Sequence, residues 1–171
     1  DIGKAVARRG RGFDMRILYH NRKRDSREID LGVIFVPLMT LLQESDFVSI
    51  HVPLTAGTRH LIGGEQLSWM KRTAILVNTS RGEVIDEATL VSALEEKRIA
   101  AAGLDVYENE PSMAKGLVEL DNVVLTPHTG SATFEAREGM SRMAAANLIS
   151  ALKGERPANL VNPSVLENDS A

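Results

Sequence analysis

Three residues whose chemistry suits a reaction centre, Arg81, Glu110 and His128, each stand a few positions past a short apolar run. An imidazole exchanges protons near neutral pH. A carboxylate held against it favours its protonated form, and a guanidinium offers a planar fork that grips carboxylates bidentately. Taken singly these residues decide little, because a lone Arg after a strand is more often a solvated charge and His128 beside Pro127 also suits a plain turn. Glu108 lies in the same acidic loop as Glu110, so on chemistry alone either carboxylate could partner the histidine.

The elements around them explain why the three should meet. Runs rich in Val and Ile at residues 16–19, 32–36, 47–52, 74–78, 101–106 and 122–126 predict strands, most of them buried on both faces. Between them, helical periodicity predicts helices over residues 3–9, 38–44, 64–70 and 87–97, the last with Ala88, Leu90, Val91 and Leu94 on one face. A long final helix over residues 132–153 is closed by Gly154 and Pro157, and the tail over residues 155–171 is expected to be non-helical. Strands alternating with helices predict an α/β fold, a parallel sheet covered on both faces. Ligands of such sheets sit at the carboxyl ends of the strands. Those positions hold Pro53-Leu54-Thr55, Thr79-Ser80-Arg81-Gly82, Asp105 with Glu110, and Pro127-His128, so one Arg, one Glu and one His converge on a single edge. Trp69 and Met70 read as core, and His20, His51 and His60 as outside the chemistry, although His51 borders the Pro53 loop.

Composition narrows the function classes. A chain of 171 residues is one domain, or one domain with an appendage, and can bury a real core. With 43% hydrophobic and 25% charged residues it has an ordinary globular balance, and a net charge of −3 gives nucleic acid no general reason to bind. No apolar stretch is long enough for a membrane span, and no leader is expected. The lack of cysteine excludes disulfides and thiolate chemistry, and four histidines without a tight pair suggest no metal site.

Three segments carry a specific resemblance. Residues 78–86, Asn-Thr-Ser-Arg-Gly-Glu-Val-Ile-Asp, residues 102–111, Ala-Gly-Leu-Asp-Val-Tyr-Glu-Asn-Glu-Pro, and residues 126–133, Thr-Pro-His-Thr-Gly-Ser-Ala-Thr, resemble the three signature segments of the D-2-hydroxyacid dehydrogenases in order and spacing. His51-Val52-Pro53-Leu54-Thr55 resembles the family's cofactor-lining loop, and Leu42-Gln43-Glu44-Ser45-Asp46-Phe47 resembles its glyoxylate, hydroxypyruvate and 2-ketogluconate reductase branch. The likeness covers nearly the whole chain, to about Pro163.

The resemblance implies a Rossmann-type doubly wound parallel sheet and the transfer of a hydride from NAD(P)H to a small 2-keto acid such as glyoxylate or hydroxypyruvate. It implies that Arg81 binds the substrate carboxylate, that His128 is the acid/base and that Glu110, the glutamate directly before Pro111, is its partner. Asp105 is implied to hold the nicotinamide carboxamide, with Pro53, Thr79 and Gly130 as further cofactor contacts. Of the dinucleotide fingerprint Gly-x-Gly-x-x-Gly only the last glycine, Gly3, is present, so the family register places the first strand and two glycines before Asp1. Asp1 and Ile2 are then expected to offer N–H groups to the pyrophosphate. The chain reads as part of a longer enzyme. Residues 1–131 form a cofactor domain lacking its first strand, and residues 132–171 a helix and tail that return to a missing substrate domain. A cytoplasmic homodimer acting on a small molecule, with no nucleic-acid or membrane partner, completes the expectation.

Retained catalytic residues do not separate an enzyme from a non-catalytic NAD(H)-sensing module of the same fold. The branch-specific segment and the absence of a low-complexity tail favour the enzyme, with phosphoglycerate dehydrogenase the alternative among enzymes. After the strand at residues 16–19 comes His20-Asn21-Arg22-Lys23-Arg24, with no carboxylate before Asp25. NAD-preferring sites place an acid there, whereas an arginine accommodates the 2′-phosphate of NADP. The expectation is therefore NADPH in preference to NADH, with Arg22 the first phosphate ligand, then Arg24 and Lys23.

Overall fold

The structure, a computed structural model, describes residues 2–166. The chain divides into two compact units, residues 1–128 and 129–171. In the first, strands and helices alternate as α1 (Ile2–Arg11), β1 (Ile17–Tyr19), α2 (Glu28–Leu31), β2 (Val33–Phe35), α3 (Leu38–Glu44), β3 (Phe47–Ile50), α4 (Gly64–Trp69), β4 (Ile75–Asn78), α5 (Glu87–Glu95), β5 (Ala101–Leu104) and β6 (Val123–Leu125). The second unit contains α6 (Phe134–Leu152).

Every strand pair is parallel, as the alternation demands. The strands form two sheets, β1 with β2, and β3-β4-β5-β6 in sequential order. In the doubly wound order the first strand stands between those two groups. Among the described residues no strand occupies that place, which is why the sheet is in two pieces.

Helices α3, α4 and α5 close one face of the larger sheet. Leu42, Leu67, Leu90 and Leu94 from these helices pack with Val48, Ile50, Leu76 and Leu104 from the strands in one buried cluster, with Met70 inside it and Trp69 packed against it. The strands are not buried on both faces as their continuous apolar runs suggest. Burial alternates, with Leu76 and Asn78 buried on β4 but Ile75 and Val77 only half-buried, and Phe47 on β3 is 59% exposed. A run that reads as two-sided is here packed on the side that faces the three helices.

Two local corrections have simple causes. Gly32 is not strand but the left-handed cap of the one-turn helix α2 at φ 61°, its N–H donating back to Glu28 and Ile29. The tail is not wholly irregular, since Pro163–Leu166 form a 3-10 turn opened by a proline, whose fixed φ suits a first turn. The long helix begins at Phe134 because the Thr133 side chain caps it, accepting from the Ala136 N–H at 3.1 Å.

One close approach sets the geometry of the sheet's edge. A Cβ on Gly82 would lie 1.9 Å from the Tyr107 carbonyl carbon, so the turn after β4 rests directly on the backbone after β5. Gly82→Ala should therefore destabilise the fold by about 3 kcal/mol, the cost of overpacking against backbone that cannot rotate away. Chemical denaturation of the two proteins checks this, and an unchanged midpoint would contradict the contact.

Candidate active site

Parallel pairing brings the carboxyl ends of β4, β5 and β6 level, since Asn78 is opposite Leu104 and Leu104 opposite Leu125. Each strand then releases a segment that carries one of the expected site residues. After β4, the fully buried Asn78 shapes the turn: its Oδ1 accepts from the Ser80 N–H at 3.0 Å and hydroxyl at 2.9 Å, and its Nδ2 donates to the Arg81 carbonyl at 2.9 Å. Arg81 is left with an exposed guanidinium, one nitrogen of which donates to the Ser80 carbonyl at 2.6 Å.

After β5, the Tyr107 N–H donates to Glu110 Oε1 at 3.1 Å and the Tyr107 hydroxyl donates to the Thr126 carbonyl at 2.8 Å. One buried residue thus ties the Glu110 loop to the segment leading to His128. His128 has φ 52°, the left-handed region that side chains other than glycine seldom adopt, with its N–H donating to the Thr126 carbonyl at 3.0 Å. That conformation sets its Nδ1 2.8 Å from Glu110 Oε2.

Glu110 is therefore the carboxylate that reaches His128, while Glu108 reaches His60, with Nε2 to Oε1 at 2.6 Å, and Arg59 at 3.4 Å. The hydrogen bond from His128 holds the Glu110 carboxyl below its ordinary range, helped by the Tyr107 N–H and by the charges of His128 and Arg81. Arg81, Glu110 and His128 thus follow the aligned carboxyl ends of β4, β5 and β6. With Nδ1 on the Glu110 carboxylate, Nε2 is the ring nitrogen outside that contact. Both partners are partly open to solvent, so geometry rather than charge alone must hold the pair.

The other expected positions fall as follows. Asp105 is buried at the carboxyl end of β5, where its Oδ1 accepts from the Thr126 hydroxyl. Pro53 and Thr79 are exposed in turns at the same edge, the Pro53 carbonyl accepting from the Thr58 hydroxyl at 2.7 Å. Ile2 opens α1 and is 68% exposed, while Asp1 lies outside the described residues. Gly130 belongs to the second unit. His20 stacks on Phe35 and contacts the Val36 carbonyl, and His51 contacts the Ser49 hydroxyl, with burial lowering the pKa of the His51 ring. Among the described residues no group of three or more acidic or histidine side chains is placed to hold a metal ion, and no helix is long and apolar enough to cross a membrane.

The basic cluster after β1 is unequal. Arg24 forks onto Glu28, with bonds of 2.9 and 2.7 Å, and lies 5.3 Å over the Phe35 ring. Glu28 also accepts from the Tyr19 hydroxyl, and Asp25 pairs with Lys4 and Arg27. Arg22 and Lys23 are exposed and have no ion-pair partner among the described residues.

Sequence reasoning missed Asn78, Tyr107 and Glu87. Asn78 ends a strand and precedes Ser80, the spacing of a side-chain-closed turn, and was legible on that ground. Nothing local marks Glu87 among the acids of its segment.

A model of the D-isomer specific 2-hydroxyacid dehydrogenase NAD-binding domain matches residues 1–130. The chain belongs to this family. A glyoxylate reductase of Korarchaeum cryptofilum is 58% identical over 168 residues, 97% of this chain and 51% of that protein. The crystal structure of a glyoxylate reductase from Paecilomyes thermophila is similar at a TM-score of 0.82 and 46% identity, covering 91% of this chain and 48% of that one. An NADPH-dependent glyoxylate/hydroxypyruvate reductase from Sinorhizobium meliloti, in complex with NADP and malonate, is similar at a TM-score of 0.81 and 39% identity over 87% of this chain and 46% of that one. The chain spans about half the length of the curated relatives it matches.

The residues present fit a nicotinamide dinucleotide. A Cβ on Gly3 would press on the His51 ring at 3.2 Å, the close helix–strand approach that the last fingerprint glycine permits, and the first turn of α1 carries no acid.

The ion pairs after β1 generate a pH prediction. Asp25 is lowered from 3.8 to about 2, first by Lys4, and Glu28 from 4.5 to about 2, first by Arg24. Groups lowered in the folded state add stability above their ordinary pKa and lose it as pH falls through the folded value. The β1–α2 segment should therefore loosen between about pH 4.5 and 2. Carboxyl carbon shifts followed by NMR check this, and folded-state midpoints near 4 would contradict it.

Proposed function

We propose that the complete protein transfers a hydride from NAD(P)H to a small 2-keto acid such as glyoxylate or hydroxypyruvate, giving the D-2-hydroxy acid. The observation that carries this reading is the 2.8 Å contact of Glu110 with His128 Nδ1 at a sheet edge where Arg81 also acts on Glu110. Family membership and glyoxylate reductase relatives support it.

Arg81 grips the substrate carboxylate through its planar fork. His128, protonated and steadied by Glu110, gives its Nε2 proton to the keto oxygen as negative charge develops there, and takes it back in the oxidation direction. The bound nicotinamide supplies the hydride. Asp105, Pro53 and Thr79 hold the nicotinamide end, and N–H groups at the start of α1 hold the pyrophosphate. Buried Asp105 is suited to fix the ring face, and hence the D configuration of the product, because its own contact to Thr126 restricts it.

Residues 132–171 are read as returning to a substrate domain. Along α6, Phe134, Met140, Met143, Leu148, Ile149 and Leu152 are exposed apolar side chains, more than a solvated helix would present. Family resemblance alone supports a cytoplasmic homodimer.

Arg81→Ala in the complete protein should lower kcat/KM for glyoxylate by about two to three orders of magnitude, since losing one partner of a desolvated charge pair costs about 2–5 kcal/mol. Cofactor binding, followed by fluorescence titration, should be unchanged. Near-wild-type turnover would remove Arg81 from the reaction.

NADPH is the preferred cofactor in this reading. Arg22 and Lys23 are available as cations, whereas Arg24 is engaged by Glu28, so Arg22 is the main ligand of the 2′-phosphate. Steady-state kcat/KM at matched ionic strength should favour NADPH, and Arg22→Ala should reduce that preference about tenfold or more, the worth of a charge-assisted bond. An NADH preference in the wild type would make the cluster plain surface charge.

A further inference from the structure

We propose that Glu87 is a positioning residue whose carboxylate braces both feet of the loop that presents Glu110. Glu87 stands in the first turn of α5 and its side chain is turned into the protein, leaving the residue 5% exposed. Its Oε2 accepts from the Glu108 N–H at 2.6 Å and its Oε1 from the Ala114 N–H at 2.6 Å. Between those two donors the chain makes a tight turn in which the Ser112 N–H donates to the Asn109 carbonyl at 2.9 Å, and Glu110 and Pro111 form its tip.

The brace is reciprocal. Glu108 Oε2 accepts from the Glu87 N–H at 3.4 Å, and its Oε1 is held by His60 at 2.6 Å. The charged and titratable groups around it include Glu108, His60, Arg59 and Tyr107, with Asp86 next in sequence capping α5. A buried carboxylate is costly unless its lone pairs are used. Here both oxygens are used on backbone donors at the two ends of one short loop. That arrangement positions the peptide between them, and Glu110 is on that peptide. A glutamine of the same shape has one acceptor and would turn an amino group towards one of the two N–H donors.

This inference rests on the reading of Glu110 and His128 as the acid/base pair, and its test separates the two. In the complete protein, E87Q should raise the hydrogen-exchange rate of the Glu108 and Ala114 amides, a readout independent of turnover. Kcat for glyoxylate reduction should fall on the order of tenfold, as small misplacements of a catalytic group do. The pH profile of kcat/KM should change in E87Q and in E110Q alike, because both variants disturb the Glu110–His128 contact. KM for the cofactor should stay put. The double variant E87Q/E110Q should be no slower than E110Q alone, because Glu87 acts through Glu110. Unchanged amide exchange, an unchanged pH profile in a folded variant, or additive losses in the double variant would overturn the proposal. Should E87Q not fold, Glu87→Asp, too short to reach both donors, is read by the same measures with the same expected direction. If the wild-type protein reduces no 2-keto acid, the reaction assignment is what fails, and amide exchange decides the brace by itself.

Discussion

The seating of the Gly82 backbone on the Tyr107 peptide is the constraint on which the edge of the sheet depends. Parallel strands align their ends, but alignment alone leaves the following turns free to splay. Here the turn that carries Arg81 has no side chain at Gly82 to keep it away from the segment that carries Glu110. Tyr107 then passes the constraint on, through its hydroxyl to the Thr126 carbonyl and through its N–H to the Glu110 carboxylate. Three turns from three strands are fixed to one another, the first two by a backbone-to-backbone approach and the third through the Tyr107 hydroxyl. The exposed side chains at their tips inherit that placement.

The carboxylates of this region are sorted by partner. Glu87 takes backbone donors only, Glu108 takes His60 and Arg59, and Glu110 takes His128 and the Tyr107 N–H. This sorting matters because three acids within a few residues of one loop would otherwise repel and compete for the same cations. Burial differs among the three: Glu87, which has no cation partner among the described residues, is the most buried, and Glu110 is the most open.

Much of this was legible in the residues themselves. Alternating apolar runs and helical segments located the six strands and the five longer helices among the described residues, because hydrophobic periodicity acts locally. Choosing Glu110 over Glu108 required the resemblance, since what separates them is a contact to a side chain eighteen positions away. One-sided burial of the strands was invisible, because a run such as Ile75-Leu76-Val77 is apolar whether one or both of its faces are packed. Glu87 was missed for a related reason. Its partners are the backbone N–H groups of Glu108 and Ala114, which every residue possesses and no composition reveals.

The electrostatics beyond β1 follow the same logic in reverse. A local reading counts three cations and no acid up to Arg24, yet the fold returns Glu28 from α2 onto Arg24 and aims the Tyr19 hydroxyl at the same carboxylate. One positive charge is thereby neutralised and the guanidinium is laid over Phe35, a flat apolar and cationic surface rather than a free arm. Arg22 and Lys23 lie outside that network and are exposed. The corner thus combines the Arg24–Phe35 wall with the exposed Arg22 and Lys23. The acids nearby are engaged, Glu28 with Arg24 and Tyr19, and Asp25 with Lys4 and Arg27. Both acids are used in shaping the corner, and the cations outside those pairs are Arg22 and Lys23.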